Sequence, residues 1–324
     1  MELNPTILIP MMIITIVIAA SPRNSAQTSD SSASRQPVKT LSEKLGYDRD
    51  TKLLIVHADD LGMAHSVNAA TIKAFESGLV TSGSVMVPCP WFPEVAAFAR
   101  SHPEADLGLH LTLGSEWKAY RWGPVLSKDR VASLLDNSGY FGVPYSVMDA
   151  KEVEAEIRAQ IDRALSLGIK PTHLDSHMDT LYSNKELFEV FLRVGRDYNL
   201  PVRIPREFFG RKPFIPSLLG SNDVVIDRFI ITNTTVSVDD WSKFYSDAVK
   251  NIQPGLSEMV VHLAYDDEEM RAATIDHPDW GAAWRQRDFQ FVTSDAFRRL
   301  LQENNIKLTT WREVGKLLIK SQKE

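Results

Sequence analysis

Apolar and polar positions follow two alternating rhythms along most of this chain. Residues 52–57 (KLLIVH) form a continuous apolar run of strand length, which predicts a strand buried on both faces. In residues 66–77, Val67, Ala70, Ala74 and Phe75 recur at helical spacing, and Gly78 supplies a stop. A strand over 81–87, a short proline-led helix over 93–101 and an alternating strand over 105–113 come next. The clearest helix covers 151–167, with Val153, Ile157, Ile161, Ala164 and Leu165 in one stripe and Glu154 paired with Arg158. The pattern then predicts strand 171–175, helix 184–198, strand 202–205 and strand 224–230. Helix 238–252 follows, with Ser237 or Asp239 as its cap, and then strand 258–264. A charged loop containing tryptophan precedes helix 294–304 and a closing strand over 306–309.

Seven or eight strand-then-helix units without an internal repeat require parallel strands joined by right-handed crossovers. That number of strands favours an irregular (β/α) barrel over an open α/β sheet. No Gly-x-Gly-x-x-Gly follows the first strand and no phosphate loop is present, so a dinucleotide-binding fold is disfavoured. Residues 114–149 break the rhythm, with Trp117, Tyr120, Trp122, Tyr140, Phe141 and Tyr145 among glycines and prolines. Such an insertion is either a lid over a substrate or a packed excursion.

Composition narrows the class. The 324 residues are 44% hydrophobic and 24% charged, enough apolar mass for one large domain, here 49–324. A net charge of −6 argues against nucleic acid as a partner and leaves a neutral or weakly charged small molecule or oligosaccharide as the expected substrate. The single cysteine, Cys89, excludes an intrachain disulfide. Residues 6–20 are apolar and run into a polar stretch, so residues 1–26 read as a signal peptide or N-terminal membrane anchor, with 27–48 as a polar linker. Export, periplasmic or extracellular, is the expectation, although Glu2 stands where a typical signal is basic.

In parallel α/β folds reactive groups gather where the chain leaves the C-terminal ends of strands. Those positions carry Ala58-Asp59-Asp60-Leu61-Gly62, Gly108-Leu109-His110, Thr172-His173-Leu174-Asp175-Ser176-His177 and, late in the chain, His262. Taken singly, each has an ordinary reading: Asp-Asp before glycine is a common turn, and a lone strand histidine is usually core. His173 and His177, four apart, share a face and serve either ligation or packing, while His57, His65, His102 and His277 lack rim partners and read as structural. Together the rim residues suit an open metal site of two imidazoles and a carboxylate, with the neighbouring Asp on the opposite side of the strand free to act as base.

At these residues the chain resembles the YdjC/ChbG (ChbG/HpnK) family of carbohydrate deacetylases. The matches are 54–62 (LIVHADDLG), 78–82 (GLVTS), 108–110 (GLH) and 171–177 (PTHLDSH), within a similarity spanning about residues 52–310. The resemblance implies an irregular, polysaccharide-deacetylase-like (β/α) barrel that removes N-acetyl groups from amino sugars with a divalent metal, Mg or Zn. It implies Asp60, His110 and His177 as metal ligands and Asp59 as general base. Asp175, with His173, would stand behind the ligands and orient them, and His262 would protonate the leaving amine. The chain departs from the family pattern at Leu61, at Met178-Asp179 after His177, and at Leu263 after His262. Two other functions remain open on the residues alone: glycoside hydrolysis by paired carboxylates such as Asp59 and Asp175, and sugar binding without catalysis.

Overall fold

In the computed structural model, residues 40–321 are described. They hold seven strands, β1 (Lys52–Leu61), β2 (Ser82–Val85), β3 (Leu107–Leu111), β4 (Leu174–Ser176), β5 (Arg228–Ile231), β6 (Gly255–His262) and β7 (Ile306–Leu308). All pair in parallel, in the order β4-β3-β2-β1-β6-β5. β1 is central because its run Leu53–Val56 is apolar on both faces and fully buried. One edge of β1 pairs with β6 from Lys52↔Gly255 to Asp59↔His262. Its other edge is shared, with β7 along Lys52–Leu54 and β2 along His57–Leu61.

The expected barrel of seven to eight strands is therefore a partial one of seven. Residues 202–205 do not form a strand; they make only two isolated parallel bridges, Leu174↔Val202 and Pro205↔Ile226. Pro201 and Pro205 at either end of this segment have no N–H to donate, which prevents a continuous ladder.

Helices cover the sheet. Ala150–Ser166 starts where Asp149 accepts hydrogen bonds from the backbone of Lys151 and Glu152. It buries Val153, Ile157, Ile161 and Ala164. Lys185–Asp197 is capped by Asn184 and Asp295–Glu303 by Ser294. The helix expected over 238–252 is shorter, Trp241–Lys250, and begins at Asp240 without a side-chain cap. Ser237 instead accepts from the Asp240 backbone and donates to its carboxylate.

Six described helices go beyond the sequence pattern, among them the short Phe208–Arg211, Ile215–Leu218 and Glu268–Ala273. Leu41–Lys44, within the expected linker, is closed by a reciprocal cap between Thr40 and Glu43. Ala282–Val292 occupies the charged stretch read as loop, and Trp311–Ser321 follows β7. The buried face of Ala282–Val292 includes Arg285 and Asp288, which silences the apolar signal on which a helix prediction depends. The insertion over 114–149 is packed, with Trp117, Trp122, Val131, Leu134 and Phe141 buried. Glu156 of the long helix holds it in place by accepting from the backbone of Val125 and Leu126.

The described residues fall within one compact unit, and no helix among them is long and apolar enough to cross a membrane. The expected signal or anchor, residues 1–26, lies outside the described residues, as does most of the linker.

Candidate metal centre and buried charge network

β1 ends in an irregularity that brings two acids to one place. Its register against β2 shifts between Ala58 and Leu61, and Asp60 takes a left-handed backbone, φ 71. Strict alternation would send Asp59 and Asp60 to opposite sides, but this bulge turns both toward His110. Gly62 completes the turn at φ 91, where an added Cβ would stand 3.1 Å from the Met86 carbonyl.

Asp60 Oδ1 lies 3.5 Å from His110 Nε2 and 3.5 Å from His177 Nδ1. The three atoms lie within 4.8 Å of one another, and Asp60 Oδ1 is buried without a hydrogen-bond partner. Ligand atoms around a tetrahedral Zn²⁺, at bond lengths near 2.0–2.1 Å, stand about 3.3 Å apart, so the trio fits a divalent cation. The opposite nitrogens fit as well. His110 Nδ1 donates to Asp175 Oδ1 at 2.6 Å, and His177 Nε2 donates to Glu116 Oε2 at 3.0 Å. A carboxylate on the far nitrogen orients an imidazole toward a metal and makes it a stronger ligand. Burial alone would lower the pKa of His177, but Glu116 and Asp60 push it up to about 10. The same negative charge attracts a cation, which would replace that proton. Arg285, itself buried, donates to Asp60 Oδ2 at 2.8 Å and leaves Oδ1 to face the imidazoles.

Asp59 has one oxygen anchored and one facing the centre. Oδ1 meets Ser84 Oγ at 3.2 Å, Arg203 Nη1 at 3.2 Å and His57 Nε2 at 3.0 Å. Oδ2 stands 3.9 Å from His110 Nε2. Burial raises the Asp59 pKa, but Arg203, His110 and His57 outweigh it and hold the carboxyl well below the usual range. Asp59 is therefore an anion at any ordinary pH.

His57, read from sequence as structural, belongs to this network. Its Nε2 bridges Asp59 and Asp175 Oδ2 at 3.0 and 3.1 Å. Against the effect of burial, these two acids push its pKa up to about 10. His57 shares a strand side with Asp59, two positions on, and that period could have revealed it. His173 and His177 flank β4 on either side of Asp175 and belong to two neighbourhoods. His177 joins Asp60, while His173 lies deeper, stacked on Trp311 at 4.9 Å between ring centres, with Nε2 3.8 Å from Asp175 Oδ2. Gly108 makes room for it: a Cβ there would lie 2.3 Å from the His173 ring. His65, His102 and His277 remain peripheral.

His262 is the register partner of Asp59 across β6. Its backbone donates to Asp288 Oδ2 at 3.0 Å, and its Nδ1 is buried without a partner. Burial lowers its pKa to about 4, with Asp60 opposing and Arg285 assisting, so the ring is neutral at neutral pH.

Sequence reasoning missed Glu116, Arg203 and Arg285 in this network. Glu116 lies five residues past the end of β3, in the insertion over 114–149, to which the strand-end rule points only loosely. Arg203 and Arg285 come from a segment too broken to be a strand and from a helix read as loop, and gave no signal.

A family model for YdjC-like proteins matches residues 53–303. A carbohydrate deacetylase of Thermus thermophilus is 34% identical over 288 residues, covering 86% of this chain and 99% of that protein. One from Enterococcus faecalis is 36% identical over 274 residues, covering 82% and 98%, and one from Thermoanaerobacter pseudethanolicus is 30% identical over 273, covering 80% and 98%. Among solved structures, one from Enterococcus faecalis V583, described as a cellobiose-phosphate cleavage protein, superposes with a TM-score of 0.69 at 26% identity, covering 82% of this chain and 99% of that one.

Proposed function

The chain belongs to the YdjC-like family, and on that premise we propose that it is a metal-dependent hydrolase removing the N-acetyl group from an amino sugar or its oligosaccharide. The observation that carries this reading is the convergence of Asp60 Oδ1 with His110 Nε2 and His177 Nδ1, each imidazole backed by a carboxylate. Two imidazoles and one carboxylate suit Zn²⁺ better than Mg²⁺, which prefers oxygen donors. When bound, such a cation acidifies water and polarises a carbonyl.

The remaining chemistry falls to the chain's own side chains. Asp59, held ionised by Arg203 and anchored through Oδ1, takes a proton from the attacking water at Oδ2. The water oxygen bonds to the acetyl carbon, the carbon–nitrogen bond breaks, and the amine nitrogen takes up a proton as acetate leaves. His262, the register partner of Asp59 and with a buried unpartnered Nδ1, carries that proton to the amine. Because burial keeps its ring neutral, His262 holds the proton only in passing.

Glycoside hydrolysis by Asp59 and Asp175 is the weaker reading. Asp175 is wholly buried, with Oδ1 on His110 and Oδ2 facing His57 and Arg203, so it has no face to offer a glycosidic bond. Export through residues 1–26 is proposed on the sequence pattern alone; the N-terminal residue of the mature protein tests it.

Acetate release from N-acetylated mono- and oligosaccharides tests the activity. Wild type should release acetate and Asp59→Asn should lose about 10²–10⁴-fold in rate. New reducing ends without acetate would support glycoside hydrolysis instead.

A further inference from the structure

Helix Ala282–Val292 carries a buried arginine to the candidate metal centre on a backbone that is fixed at both ends of its first turn. Trp284 stacks on Trp280 at 4.4 Å between ring centres, and the Arg285 backbone donates to the Gly281 carbonyl at 3.1 Å. One turn on, Asp288 accepts from the His262 backbone at 3.0 Å, so the same helix grips the end of β6.

Arg285, 4% exposed, uses its donors unevenly. Its Nε donates to the Trp280 carbonyl at 3.2 Å, its Nη2 stands 2.8 Å from Asp60 Oδ2, and its Nη1 is buried without a partner. A buried ion pair with an orphaned donor is a poor device for stability, so the reason for this one lies in what it does to Asp60. Asp60 Oδ1 faces His110 Nε2 and His177 Nδ1 at 3.5 Å each. A carboxylate can ligate a cation through one oxygen or through both. With Oδ2 held by Arg285, Asp60 offers Oδ1 alone. Three protein atoms then leave a divalent cation positions for water and for an acetyl carbonyl oxygen, and a second oxygen from Asp60 would fill one of them.

We propose that Arg285 is a positioning residue: anchored on the Trp280 carbonyl, it holds Asp60 Oδ2, restricts Asp60 to ligation through one oxygen and so keeps a coordination position free for substrate. The proposal rests on the metal-dependent deacetylase reading. It has an electrostatic consequence of unusual sign. The guanidinium is a positive charge beside a cation site, so it weakens metal binding while it keeps the site open. Removing it should tighten metal binding and slow turnover, whereas losing an arginine that serves only to support the ligands should weaken both together.

The test loads wild type, Arg285→Gln and Arg285→Lys with Co²⁺. It reads the visible absorption of each cobalt protein, its Co²⁺ affinity by competition with a chelator, and its acetate-release kinetics. Cobalt's visible bands weaken as its coordination number rises. Arg285→Gln should show weaker bands and Co²⁺ affinity raised roughly tenfold by loss of the neighbouring charge. Its kcat should fall about 10- to 100-fold with KM little changed. Arg285→Lys keeps the charge but cannot hold Asp60 and the Trp280 carbonyl together. It should show weaker bands and a lower kcat at wild-type affinity, and it decides the matter alone if Arg285→Gln does not fold. Bands of wild-type intensity in the folded variants would overturn the clamp, as would affinity and kcat that fall together in Arg285→Gln. A wild type that binds no Co²⁺ removes the metal centre and the clamp with it. The predicted spectral change without acetate release from any sugar keeps the clamp and removes the deacetylase reading.

Discussion

Arg203 Nη1 stands 3.2 Å from Asp59 Oδ1 and 3.2 Å from Asp175 Oδ2, so one guanidinium nitrogen bridges two buried carboxylates. The pairing settles both charge states. Burial alone would raise each acid, and Arg203 is the largest influence holding each well below the ordinary range. The candidate base is thereby kept ionised, and the acid behind His110 is kept able to accept its N–H.

Replacing Arg203 leaves two buried carboxylates with only His57 bridging them. Arg203→Met should cost about 3–5 kcal/mol in urea unfolding, the usual penalty for breaking a buried ion pair. The milder Arg203→Lys should fold and move the acid limb of the pH–rate profile upward, because Asp59 loses part of the influence that lowers its pKa. An unmoved acid limb would remove Arg203 from control of the base.

Glu116 reaches His177 from the aromatic-rich insertion, and its carboxylate is held low, against burial, by that imidazole. Glu116→Gln keeps the shape and deletes the charge. Metal affinity, measured by competition with a chelator, should weaken about 10- to 100-fold. Unchanged affinity would make Glu116 a packing residue only.

Asp288 gives a stability trend opposite to that of the ion-paired acids. It accepts from Trp241 Nε1 at 3.0 Å, the Tyr245 hydroxyl at 2.8 Å and the His262 backbone at 3.0 Å. Burial nevertheless raises its pKa from 3.8 to about 6. On acidification the folded state binds this proton before the unfolded state does. The contribution to stability therefore grows as pH falls from about 6 to about 4 and is withdrawn as pH rises through 6. Two pKa units correspond to about 2–3 kcal/mol. Urea midpoints at both ends of that window should show wild type gaining on Asp288→Asn toward acid; parallel profiles would contradict this.

The fold and site were legible where chemistry and period coincide. The strands β1, β3 and β6 announce themselves by apolar runs, and the motif residues Asp59, Asp60, His110 and His177 sit where strand ends collect reactive groups. The pleat rule failed at Asp60, since a left-handed residue within a bulge is invisible in composition. The same rule puts His57 on the Asp59 side of β1, where the two side chains meet. Helix Ala282–Val292 was hidden because it buries an arginine and an aspartate for the sake of the site. The segment over 202–205 looked like a strand by composition but is limited by Pro201 and Pro205, and its buried Arg203 went unnoticed with it.

The central claim is that Asp60, His110 and His177 hold one divalent cation needed for turnover. It is tested most directly by elemental analysis of purified wild type and His177→Ala, combined with acetate release before and after chelation. The account predicts about one equivalent of divalent metal in wild type, a large loss of it in His177→Ala, and deacetylation that disappears on chelation and returns with added Zn²⁺ or Mg²⁺. Full activity in metal-free protein, or undiminished metal in His177→Ala, would contradict it.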